Sequence, residues 1–285
     1  MKGLTLPCFI LAFITLFSTS ATAQSYFEIG AMAGDMPYNG DLSDPGIKFL
    51  NDWNTFGGVY LRYRPVNRIG LRFNGAFGTI EAENSTNVSL GNGTSTSITR
   101  NFRSKIQEYS VAVEFDLFYL GDPDDRFVAP YVMAGIGRTS FNPESQVDGI
   151  YYELQPLRTE GQGIMTGQYD PAPYELSITT LHLGGGVRAK LGDRFVVGGE
   201  VSGRITNTDY LDDVTGRRLV YQDVLDNTTT RGAFFSNPAV DPGEAPEGLE
   251  YRRGGDSDDF YFMINLTLGI RLGGWGSGGN GCYSF

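Results

Sequence analysis

The sequence predicts an all-β protein: an eight-stranded antiparallel up-and-down transmembrane β-barrel with short periplasmic turns and long external loops. Three observations predict it. Eight segments alternate apolar and polar residues, their polar faces mix charges with small residues, and the joins between them alternate short and long.

Alternation at every second residue is the period of a strand with two unlike faces. The first segment carries Phe27, Ile29, Ala31 and Ala33, and the second Val59, Leu61 and Tyr63. In the third, Ile69, Leu71, Phe73 and Phe77 oppose Arg72, Asn74 and Ala76. The fourth sets Tyr109, Val111, Val113, Phe115, Leu117 and Tyr119 against Glu108, Ser110, Ala112, Glu114 and Asp116. The fifth holds Val132, Ala134 and Ile136. In the sixth, Leu181, Leu183, Val187 and Ala189 oppose His182, Arg188 and Lys190. The seventh sets Phe195, Val197, Val201 and Ile205 against Glu200, Ser202 and Arg204. The last is the clearest, with Phe260, Phe262, Ile264, Leu266, Leu268, Ile270 and Leu272 all on one face.

A soluble sandwich would turn these apolar faces inward; a membrane barrel turns them out to lipid. Small residues interleaved with charges, as in His182-x-Gly184-x-Gly186-x-Arg188, suit a lumen just wide enough for side chains to fill. The joins at 65–68, 121–127 and 191–194 are tight, whereas those at 35–54, 80–102, 139–174 and 207–258 are long and polar. Strict alternation of this kind is expected when both termini lie on the side of the short turns. Tyr63, Tyr119, Phe127 and Phe195 stand beside the short turns, where an aromatic interfacial girdle belongs.

Three spans divide the chain: a signal peptide over 1–23, the barrel over 24–272 and a Gly-rich tail over 273–285. Lys2, the apolar run from Leu4 to Phe17 and the Ala21-Thr22-Ala23 site predict export with cleavage after Ala23, and hence a cell outer membrane location. Removing Lys2 leaves 21 basic against 33 acidic residues, a net charge of −12. That balance argues against a nucleic-acid partner and leaves membrane lipid as the expected surroundings. Cleavage also removes Cys8, leaving Cys282 as the single thiol and no internal disulfide.

The inward charges are Arg62, Arg64, Arg72, Glu108, Glu114, Asp116, His182, Arg188, Lys190, Glu200 and Arg204. Mixed signs in a narrow space should pair into a salt-bridged plug, since an unpaired charge away from water is costly. His182 is the only histidine, and no Gly-x-Ser-x-Gly turn exists for a hydrolytic nucleophile. One His and one Cys give no zinc spacing, and the acidic stretch after the seventh strand lacks the oxygen spacing of a calcium loop. No catalytic residue, cofactor or metal is therefore expected.

Three stretches carry a resemblance to a known family. They are Tyr38-Asn39-Gly40-Asp41-Leu42, Pro130-Tyr131 leading to Gly135-Ile136-Gly137, and Thr208-Asp209-Tyr210-Leu211-Asp212-Asp213-Val214, the most specific of the three. The chain resembles the PorG-type small outer-membrane β-barrels of Bacteroidetes, which belong to type IX, gliding-associated protein secretion. The resemblance implies a non-enzymatic barrel that anchors a periplasmic assembly of the secretion apparatus, with periplasmic proteins as partners. The alternative is a surface ligand-binding or adhesion barrel that uses its long external loops.

Overall fold

The computed structural model describes residues 25–43, 53–89, 95–123, 125–243 and 245–272. The expected signal peptide and its cleavage site, and the tail with Cys282, lie outside the described residues.

Eight long strands form the frame: β1 Tyr26–Asp35, β2 Thr55–Val66, β3 Ile69–Ser89, β4 Ser95–Asp116, β5 Phe127–Ser140, β6 Ser177–Leu191, β7 Phe195–Ile205 and β8 Phe260–Leu272. Each pairs antiparallel with the next along the chain. β8 then pairs back onto β1, with Leu272 opposite Phe27 and Ile264 opposite Asp35. That last ladder closes the ring. Closure removes both free edges, the condition for carrying a sheet through lipid.

The outward positions are apolar along strand after strand: Phe27, Ile29, Val59, Phe73, Val113, Val132, Leu183, Val201 and Leu266 are all exposed. Leu266 is 74% exposed while its neighbours Asn265 and Thr267 are 4% and 7% exposed. Water would penalise this arrangement and a bilayer rewards it. The alternation therefore has the membrane sense, not the sandwich sense.

Three corrections to the sequence reading follow from geometry. First, 80–102 is not an irregular loop. β3 and β4 continue pairing without interruption to Ser89 opposite Ser95, giving strands of 21 and 22 residues. A bilayer crossing takes about 9–11 residues, so the outer half of this hairpin stands clear of the membrane. Its Asn-, Ser- and Thr-rich composition disguises it, because a ladder held by backbone hydrogen bonds needs no apolar outer face once that face is wet, while Ile80, Ala82, Ile98 and Phe102 are buried on the inner one.

Second, two members of the expected girdle turn inward. Phe127 is buried beneath the guanidinium groups of Arg188 and Arg271, 5.2 and 5.1 Å from its ring centre. Tyr119 is only partly exposed, and its hydroxyl bonds Asp116 and the Asn67 carbonyl. Phe195 remains outside, and Tyr63 stacks on Phe27 with centroids 4.8 Å apart. Third, the lumen is not charged throughout. Toward the long loops it is filled by an apolar cluster that includes Met36, Phe56, Ile80, Phe102, Ile106 and Met263.

The long joins fold over this apolar layer. The 139–174 join contains a hairpin of Pro143–Val147 with Ile150–Glu153. The 207–258 join contains two short helices, α1 Tyr221–Asn227 and α2 Thr230–Ser236, and a two-residue ladder of Leu219–Val220 with Glu250–Tyr251. Ile164, Tyr169, Leu219, Tyr221, Val224 and Leu249 give this cover a small apolar core of its own.

Candidate functional site

Two constellations stand out, one across the lumen and one beneath the loop cover. The lumen charges come from facing strands. Arg62 contacts Glu28 and lies 2.7 Å from Glu114; Arg64 lies 3.0 Å from Glu114 and 2.8 Å from Asp116. Arg72 lies 3.0 Å from Glu114 and 2.6 Å from Glu200, and Arg188 contacts Asp116. Among the described residues these form one connected set of four guanidinium groups and four carboxylates, all nearly without solvent exposure. Equal numbers of each sign, joined through Glu114, satisfy the requirement that buried charge be paired.

Room for the set is made by small residues. A Cβ on Gly30 would sit 2.4 Å from the Tyr60 ring, and one on Gly269 would sit 2.4 Å from its hydroxyl. Tyr60 thus crosses the lumen between two glycines and donates to Glu28 at 2.8 Å. Sequence reading misses Glu28, which stands in a weakly alternating segment, and the tyrosines Tyr60 and Tyr131, whereas Tyr261 falls on the polar face of the last segment, opposite its apolar stripe. Tyr131 donates to Glu200 at 2.6 Å and Tyr261 to Glu108 at 2.9 Å. An aromatic ring bearing a hydroxyl scores as apolar in a periodicity count, though here the hydroxyl decides where it points.

A separate, smaller group holds Glu108, Arg204 and His182. Arg204 lies 3.0 Å from Glu108, and His182 Nε2 lies 2.8 Å from Thr180 Oγ1 and 3.6 Å from Glu108. The hydroxyl and the carboxylate approach the same ring nitrogen, whereas a nucleophile relay uses opposite nitrogens. All four side chains are buried, out of reach of a substrate. Lys190 is also buried on the inner face.

The motif loop Thr208, Asp209, Tyr210, Leu211, Asp212 and Asp213 lies under the cover, where it fastens segments remote in sequence. Thr208 Oγ1 accepts the Tyr210 N–H at 3.2 Å. The Tyr210 ring stacks on Tyr174 with centroids 4.4 Å apart, and its hydroxyl donates to Asp170 at 2.6 Å. Leu211 is fully buried, and its N–H donates to Asp259 at 2.9 Å. Asp212 accepts the N–H groups of Leu42 at 3.2 Å and Val214 at 2.9 Å. Asp213, in the left-handed region at φ 65°, accepts from the hydroxyls of Thr159 and Tyr174 and from Arg253. Asp209 is half-buried among these groups.

The first motif meets this one directly. Tyr38 donates to Asp259 at 2.6 Å, and Asp41 accepts the Gly255 N–H at 2.8 Å. Two stretches some 170 residues apart therefore form a single clasp over the barrel mouth. Glu160 joins it, accepting the Thr215 N–H at 2.8 Å and hydroxyl at 2.6 Å and facing Arg253 at 3.4 Å. What the arrangement does chemically is hold loops: its carboxylates accept from backbone N–H groups, from Tyr and Thr hydroxyls and from Arg253.

So many carboxyls in one dry place resist ionisation. Burial pushes Glu160 up to about 7 against the opposing pull of Arg253. Asp209 is pushed up to about 8, by burial first and then by Asp259. Asp212 is raised by burial and by the neighbouring Asp259. A folded-state value raised above the unfolded one favours the cover at low pH, and this support is lost as pH climbs from about 4 through 7 and 8. The expected result is faster cleavage within 207–258 at pH 9 than at pH 5.5, measured by limited proteolysis normalised to an unfolded substrate. Equal or slower cleavage at pH 9 would contradict the clasp.

A family model described as a domain of unknown function (DUF6089) matches residues 7–227, well over half of the chain. The chain belongs to the DUF6089 family. The matched span runs from β1 through β7 and includes all three motif stretches, so the clasp is built largely within the DUF6089 region. Among curated proteins none matches. Of solved structures, the N-terminal β-barrel domain of Pseudomonas aeruginosa OprF is 12% identical, covering 88% of this chain and 98% of its own, with a TM-score of 0.33. Neisserial surface protein A is 10% identical over 86% and 97%, with a TM-score of 0.41. A major outer membrane protein from Thermus thermophilus is 15% identical over 87% and 99%, with a TM-score of 0.40. The barrel assignment of this DUF6089 chain rests on its own closed ring of strand pairs.

Proposed function

We propose that this outer-membrane barrel is a structural anchor and assembly component of a type IX protein secretion apparatus. The observation that carries the reading is the filled interior. A connected set of four guanidinium groups and four carboxylates crosses the lumen beside the Arg204–Glu108 pair, and an apolar layer and a clasped loop cover lie above them. A barrel so filled is not built to pass solutes. Its working surfaces are its ends and its lipid-facing wall.

The three stretches that resemble the PorG-type barrels support the secretion role, and two of them form the clasp. Export by the expected leader would leave the short turns and the strand ends at Tyr26 and Leu272 on the periplasmic side, where ring proteins would dock, and the clasped cover outside. The chain has no catalytic centre in this reading. Crosslinking in intact envelopes, followed by detergent extraction and identification of captured proteins, is expected to recover periplasmic components of the secretion machinery. Recovery of the barrel alone, with an unrelated outer-membrane protein behaving identically, removes the anchoring role.

One observation favours a second reading, a surface ligand-binding or adhesion barrel. Trp53 is 80% exposed in a cleft of about 420 Å³ that also presents Glu81, Glu83 and Asn101 of the projecting hairpin and Tyr151 of the 139–174 join. Deleting the 139–174 join separates the two readings: it abolishes surface binding in the second and leaves periplasmic crosslinks intact in the first.

A further inference from the structure

Arg100 stands on the part of β4 that projects beyond the membrane, opposite Asn84. It is 8% exposed, yet no carboxylate of the described residues lies within ion-pair distance of it. Its hydrogen bond is a long one, from Nη1 to the Arg253 carbonyl at 3.3 Å. Its Nε and Nη2 are buried without a hydrogen-bond partner, and so is the Nε of Arg253. Every other buried arginine described above faces at least one carboxylate. A dehydrated, unpaired guanidinium is costly, so this one calls for an anion.

Arg100 and Arg253 line one cavity of about 70 Å³. That is roughly twice the ≈ 30 Å³ share of a water molecule in the liquid, which is room for one small oxyanion. Thr99 is exposed and Asn101 and Gln146 are half-exposed along the same wall, so the cavity reaches the outer surface, where the Gln146 side-chain amide is a further hydrogen-bond donor. Asp212 also lines it, but both of its carboxylate oxygens already accept backbone N–H groups. Arg253 is balanced on its far side by Glu160 and Asp213. Among the described residues, the positive charge at the cavity that faces no carboxylate within ion-pair distance is therefore that of Arg100.

We propose that Arg100 and Arg253 bind a phosphate- or sulfate-type oxyanion in the cavity beneath the loop cover. Two guanidinium groups offer the planar, forked donors that match such oxygens. Burial, with Arg253 alongside, pushes Arg100 down to about 10, and a bound anion would reverse that pressure. The oxyanion is either the free ion or the terminal group of a larger molecule that enters past Thr99 and Gln146.

The test uses the full exported chain, folded in detergent, with binding measured by calorimetry at fixed ionic strength set with chloride. Inorganic phosphate, inorganic sulfate and a phosphorylated sugar are titrated in separate arms. Wild type is expected to take up one oxyanion per chain saturably. Arg100→Met, which replaces an uncompensated charge with an apolar side chain of similar reach, is expected to weaken binding at least tenfold. Arg100→Lys is expected to fall between the two. Tighter binding of the free ions assigns the site to free oxyanions, and tighter binding of the sugar phosphate assigns it to a terminal group. No saturable uptake in any arm by wild type overturns the proposal, and so does undiminished uptake by an Arg100→Met protein that still shows heat-modifiable migration.

Discussion

Glu114→Ala is expected to lower the stability of the barrel more than any other single substitution in the lumen. Glu114 is the node at which Arg62, Arg64 and Arg72 meet, at 2.7, 3.0 and 3.0 Å, and it has no solvent exposure. Removing one partner of a buried ion pair typically costs about 3–5 kcal/mol, because the charge left behind is neither paired nor hydrated. Here three cations are left sharing three remaining carboxylates, Glu28, Asp116 and Glu200, with Arg188 also drawing on Asp116. Urea unfolding in lipid vesicles, followed by the heat-modifiable gel shift, measures the loss. Glu114→Gln is expected to cost less, since it keeps hydrogen-bond acceptance while losing the charge. An alanine variant with the wild-type midpoint would show that water, not Glu114, balances these arginines.

The second large effect lies on the opposite face of the wall. Leu268 is the middle of the five exposed outward residues Ile264, Leu266, Leu268, Ile270 and Leu272, at the centre of the strand's exposed apolar stripe. Leu268→Arg is expected to cost about 2–4 kcal/mol, and Leu272→Arg, at the strand end, about 0–1 kcal/mol. The same vesicle assay reads both. A soluble protein with this sequence would show no dependence on depth, and equal effects at the two positions would remove the lipid-facing assignment of β8.

How much of this is legible in the sequence depends on the range over which each interaction acts. Strand alternation is local, so the outward stripe of β8 and the inward set Glu108, Glu114 and Asp116 on β4 can be read residue by residue. The order of short and long joins is also local and yields the up-and-down topology. The pairing partners are not local. Arg72 meets Glu200 from 128 residues away, and nothing in either segment names the other. The clasp is harder still. In the sequence Asp212 and Asp213 are only an acidic run, and their work of accepting the Leu42 N–H and holding Arg253 depends on three loops meeting. Arg100 escapes notice for a related reason: it falls in 80–102, a stretch whose polar composition suggests a loop although its backbone is a regular ladder.

The ladder that welds the ring shut, together with the interlocked ions at its centre, makes this cylinder a stiff rivet through the bilayer. Among the described residues, the ions at its centre are held in pairs that span the lumen. News of an event at the cell surface could reach the opposite side only if the whole body tilted, rotated or changed neighbours. Its two ends are therefore faces of one rigid body.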